Sequence, residues 1–101
     1  MKEKAITEPT WKPYSQKTPG RLTVAEKASL PASAFAFPSV RKEPMTDPAH
    51  VRDAMARFDQ VSGVTDTERD LAFANFQKAA GHFGIKMKET DWHQFGRPVH
   101  R

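Results

Sequence analysis
Two stretches of helical apolar periodicity are separated by little more than Gly63 and Val64, and a connection that short makes the two helices antiparallel neighbours. The first stretch begins at Asp47-Pro48, a good N-cap followed by the residue best suited to the first helical position. Val51, Ala54, Met55, Phe58 and Val61 then recur on one narrow stripe, which predicts a helix over about 47–62 with Gly63 as its stop. Asp53 and Arg57, four apart on the outer side, add about 0.3 kcal/mol. The second stretch opens on Thr65-Asp66-Thr67-Glu68, a capping box in which the threonine bonds forward and the glutamate reaches back. Ala72, Phe73, Phe76, Ala79, Ala80 and Phe83 form its stripe, and Gly84 ends it, which predicts a helix over 66–83. Beyond it, Ile85 and Met87 alternate with Lys86 and Lys88 as an extended stretch. Thr90 or Asp91 then caps one last turn, about 91–95, carrying Trp92 and Phe95.

The chain before Asp47 is of another kind. Residues 1–29 carry Pro9, Pro13, Pro19 and Gly20 among scattered polar residues, with sparse, non-periodic apolar side chains. Such a segment buries too little area to offset its ordering entropy, and it is expected to be a disordered arm. Trp11 and Tyr14 stand out in it. The simpler reading gives them transient contacts with the domain, and the sharper one a short linear motif that docks into a partner. In residues 30–45, Leu30, Phe35, Phe37, Val40 and Met45 are too apolar for a linker, while Pro31, Pro38 and Pro44 break any long helix. Pro31 can open one helical turn through Ala36, or the segment can run as an extended strap; either way its rings are expected to cover the helices. The expected fold is mostly α. It comprises a small helical hairpin with a short C-terminal turn over residues 30–97, the arm over 1–29 and a tail over 98–101.

Only 38% of the 101 residues are hydrophobic, which fits a chain that is not packed throughout. The net charge of +4 sits in the first 46 residues, where eight Lys/Arg face four Glu; residues 47–101 hold eight of each sign. A basic arm can contact nucleic acid, but a charge this thin is more simply a solubilising tail. With no cysteine, disulfides and thiolate chemistry are excluded. No apolar signal core follows Met1-Lys2-Glu3-Lys4 and no apolar run approaches a membrane span, so a cytoplasmic location is expected.

Catalytic candidates are few. His50, His82, His93 and His100 show no pair at the spacing that places two ligands on one helix face, and each reads as a surface or edge imidazole. There is no nucleophile elbow, no Gly-rich phosphate loop and no conspicuous carboxylate pair. The acids at 66, 68 and 70 are accounted for by the dipole at the start of the second helix. Neither helix carries a one-signed basic face of the kind a recognition helix needs: Arg52 and Arg57 are matched by Asp53 and Asp59, Arg69 and Lys78 by Glu68 and Asp70.

Several strings in fixed order carry a resemblance. They are Leu30-Pro31-x-Ser33-Ala34-Phe35-Ala36-x-Pro38, Arg41-Lys42, and Asp47-x-x-His50-Val51-Arg52-x-Ala54-x-Ala56-Arg57-Phe58. Glu68-Arg69-Asp70, Ala79-Ala80-x-x-Phe83-Gly84 and Thr90-Asp91-Trp92 follow. Over about residues 30–97 the chain resembles a small bacterial and phage-associated domain of unknown function, number 6582. The resemblance implies no activity. It places His50, Arg52 and Arg57 in its motif, and with Trp92 these are the candidate partner-binding residues. No catalytic, cofactor-binding or metal-binding residue is expected. The sequence thus predicts a non-enzymatic interaction domain with a protein partner. The alternatives are a weak nucleic-acid-associated protein acting through the basic arm and a phage-related structural or accessory protein.

Overall fold
In the computed structural model, which describes residues 7–14 and 22–95, a helical hairpin does not stand alone. The order is α1 (Val24–Ser29), a 3-10 turn at Ala32–Ala34, β1 (Phe35–Phe37), β2 (Lys42–Pro44), α2 (Pro48–Ala56), a 3-10 turn at Phe58–Gln60, α3 (Asp66–Phe83) and a 3-10 turn at Trp92–Gln94. Three helices and a two-stranded antiparallel sheet correct the hairpin expectation, and α3 makes its most extensive contact with β1 rather than with α2. β1 and β2 pair with Phe35 opposite Pro44 and Phe37 opposite Lys42. Within residues 30–45, Pro31 thus opens a single 3-10 turn, shorter than the turn through Ala36 that the sequence allows, and the rest of the segment folds as a β-hairpin rather than a single extended strap. Its strands are three residues long and all of Phe35, Ala36 and Phe37 are buried, so no alternation announced them.

The caps act as the sequence implies. Asp47 accepts from the His50 N–H with Pro48 at the first position, and Thr65 and Glu68 form the reciprocal box at the start of α3. Gly84 closes α3 in the left-handed region at φ 71°. α2 is shorter than the expected 47–62. It stops at Ala56, and a 3-10 turn follows that carries Phe58 inward, with Val61 buried just beyond it. Gly63, at φ 75°, then turns the chain within the connection and does not terminate the helix directly. Ile85 and Met87 are partly buried and Lys86 and Lys88 exposed, as the alternation implied, without a pairing strand.

One aromatic core unites the elements. The Phe58 ring lies 5.6 Å from Phe37, 5.8 Å from Phe76, 5.3 Å from Phe95 and 5.8 Å from Trp92. A smaller cluster of Leu30, Ala34 and Phe35 seats the end of α1. Arg41 clips this corner. Its guanidinium lies 4.7 Å over the Phe35 ring, and its Nη2 donates to the Leu30 carbonyl at 2.8 Å.

The expected disordered arm needs the largest revision. Residues 24–29 form α1, opened by a capping box between Thr23 and Glu26. Trp11 is fully buried in the domain, which fits neither transient contacts nor a free motif offered to a partner. A lone aromatic carries no periodicity, so nothing local marks it as a core residue. Tyr14 remains exposed. The remaining basic residues of the arm, Lys2, Lys4, Lys17 and Arg21, lie outside the described residues, as do Gly96, the 98–101 tail and His100.

Candidate functional site
A cleft of about 660 Å³ opens between the C-terminal end of α1, strand β2 and the exposed side of α2. Its walls are charged with both signs. Lys27 comes from α1, Lys42 and Glu43 from β2, Asp53 from the outer face of α2 and Arg57 from its C-cap. Asp47 and His50 stand at its edge, where the α2 cap orients them. The Asp47 carboxylate accepts from the His50 backbone at 2.8 Å and lies 2.9 Å from His50 Nδ1. Burial alone would raise the Asp47 pKa, but the His50 hydrogen bonds, with the His50 charge and the Ala49 N–H, together outweigh it, and the carboxyl is held below its ordinary value.

Glu43 is the unusual residue of the cleft. Its φ is +60°, in the left-handed region that a non-glycine residue enters only at a cost, and Arg41 two residues earlier has φ +52°. The Glu43 side chain is half-buried, and desolvation pushes its pKa up despite the opposing fields of Arg57, Lys27 and Lys42. Glu43 is thus a partly desolvated carboxyl in left-handed backbone, with Arg57, Lys27 and Lys42 around it.

The four residues singled out from sequence are not brought together. His50 and Arg57 line this cleft. Arg52 faces a different groove, beside Lys86 and Lys88. Trp92 lies at a third place, its indole N–H donating to Asp70 Oδ1 at 2.7 Å and its ring packed on Phe58 and stacked on His93 at 3.7 Å. Half-buried in these contacts, Trp92 acts as a fastener between the last turn and α3. Lys27, Lys42 and Glu43 were missed, and local sequence carries no signal for them, because tertiary packing of α1 and of the hairpin places them. Among the described residues, no group of three or more His, Asp or Glu is arranged to hold a metal ion. No helix of the described residues is long and apolar enough to cross a membrane.

Comparison with known proteins adds one finding. Residues 24–90 match a family described as a family of unknown function, DUF6582, so the matched span begins at α1 and ends before the last turn. No curated protein and no solved structure matches the chain.

Proposed function
We propose that this chain, which belongs to the DUF6582 family of unknown function, is a non-enzymatic interaction domain that docks a protein partner in the cleft between β2 and α2. The observation that carries this reading is Glu43. A domain that holds a half-buried carboxyl in left-handed backbone gives up stability at that one position, and such strain concentrates where a surface is shaped for a ligand. The cations around it, Lys27, Lys42 and Arg57, alternate with Asp53, a mixture that selects a partner by charge register rather than by bulk attraction. Docking by strand addition is disfavoured, because the β2 edge contains Pro44, which has no N–H, and Glu43, which is not extended.

The test compares three full-length baits in affinity capture from the native host: wild type, Arg57→Glu, and Arg52→Glu on the other groove. A partner retained by wild type and Arg52→Glu but lost with Arg57→Glu supports the assignment. Equal retention by all three removes the cleft from the binding surface.

A further inference from the structure
Residues 7–14 form no regular secondary structure, and every one of them except Trp11 is exposed. A single buried side chain anchors the segment, and apart from one bond to the Thr10 hydroxyl the rest of its recognition is through backbone. The Trp11 indole N–H donates to the Met45 carbonyl at 3.0 Å, with the ring set edge-on to His82 at 5.6 Å and Phe83 at 5.9 Å. Asn75, fully buried on α3, reads the peptide on either side of the bond between residues 10 and 11. Its Oδ1 accepts from the Thr10 and Trp11 N–H groups, both at 2.8 Å. Its Nδ2 donates to Thr10 Oγ1 at 3.2 Å and to the Ala36 carbonyl at 3.0 Å. The Lys12 N–H adds a bond to the Ser33 carbonyl at 3.0 Å.

One anchor in a pocket plus backbone hydrogen bonds to an extended segment is how folded domains read linear peptides. Three of the four hydrogen bonds made by the Asn75 amide go to this segment. Without an occupant, a buried amide oxygen would have no protein partner. Every residue of the receiving groove, from Ser33 to Phe83, lies inside the span matched to the family, and the occupant lies outside it. We propose that the groove is a peptide-recognition site, filled in cis by residues 7–14 of this chain and able to accept the same segment from a second copy.

The test uses the whole chain with a specific protease sequence substituted between Tyr14 and Leu22, cleaved after folding, and a fluorescently labelled synthetic peptide of residues 7–14. The cleaved protein should bind the peptide saturably by fluorescence anisotropy as its own N-terminal fragment exchanges out. The uncleaved protein should bind at least about 100-fold more weakly, because the tethered segment competes at an effective concentration in the millimolar range. A peptide carrying Trp11→Ala should not bind. If cleavage loosens the fold, excess wild-type peptide should restore its circular dichroism. Absence of peptide binding to a cleaved but folded chain, loss of fold that the peptide does not reverse, or equal binding of the Trp11→Ala peptide would each overturn the proposal.

Discussion
At the scale of single residues, Trp11 and Asn75 illustrate two kinds of buried side chain. Trp11 contributes apolar area and one indole hydrogen bond. Trp11→Ala is expected to cost about 3–5 kcal/mol, which for a domain of this size is a large part of its total stability. Thermal unfolding followed by circular dichroism checks this, and a midpoint within a degree of wild type would show that the indole is dispensable. The same burial rules out deleting residues 1–29 as a neutral truncation. Glu43 gives a prediction in pH. Its pKa is raised above the ordinary 4.5 by burial, so between that value and the folded pKa the folded chain holds a proton that the unfolded chain has released. The Glu43 contribution is therefore most favourable below the ordinary carboxylate range and is lost as pH rises through the folded pKa. Asp47 and Glu68, both lowered, act in the opposite direction, so the informative quantity is the difference between wild type and Glu43→Gln. Urea midpoints measured from pH 4 to 7 should show Glu43→Gln gaining on wild type as pH rises. A difference independent of pH would mean that burial of the carboxyl has no thermodynamic weight.

At the scale of elements, what could be read from the sequence divides along a physical line. α3 was legible to the residue, because its start and stop are set by groups three or four positions apart: Thr65 with Glu68, and Gly84, in left-handed backbone, with the Ala80 carbonyl to which its N–H donates. The start of α2 was legible for the same reason, while its end was not, since the turn at Phe58–Gln60 is bent by the demand of the distant rings that Phe58 meets. The hairpin was invisible as a hairpin. Its three-residue strands carry no period, and the positive φ values fall on Arg41 and Glu43 rather than on glycines. Asn75 did leave a trace, a polar residue inside the stripe of Ala72, Phe73, Phe76 and Ala79, which in a packed helix requires a partner. Of the candidate site, His50 and Arg57 were read in advance as binding residues and Asp47 and Asp53 only as a helix cap and half of a surface pair, while Lys27, Lys42 and Glu43 come from α1 and β2 and were not read as site residues. The capping box also links elements, since the Ser39 hydroxyl in the hairpin turn donates to the Glu68 carboxylate, and this bond is the largest contribution lowering its pKa. Thr65→Ala should thus cost about 1 kcal/mol, within the usual range for a lost N-cap, read as a lowered urea midpoint with an unchanged m-value. No change in the midpoint would show that Glu68 and Ser39 hold the end of α3 without the threonine.

At the scale of the whole molecule, the excess of positive charge belongs to the first 46 residues, yet that half of the chain is not a detached polyelectrolyte. Lys12 sits on the segment clamped by Asn75, and Lys27 lines the charged cleft. With Lys2, Lys4, Lys17 and Arg21 they are the six cations available for phosphate contact before the hairpin. Binding to a DNA duplex, measured by fluorescence anisotropy, should accordingly be weak and sequence-independent, with a log–log salt slope no larger in magnitude than about 5. The proper control neutralises Lys2, Lys4, Lys17 and Arg21 to glutamine and keeps Trp11 in place. Tight, sequence-selective binding by that variant would move the nucleic-acid contact onto the helices, around Arg52 with Lys86 and Lys88.

The clamp between Trp11 and Asn75 also sets an order of events in time. The two residues are 64 positions apart, so the N-terminal segment leaves the ribosome well before the amide that will hold it exists. At about 5–20 residues per second, synthesis reaches Asn75 roughly 3–13 s after Trp11. During that interval the indole has no pocket, since α3, which supplies Asn75 and Phe83, is still to be made. Closing this long loop has to wait for α3, so Trp11, translated well before its pocket, stays uncovered until the helix that holds it has been made.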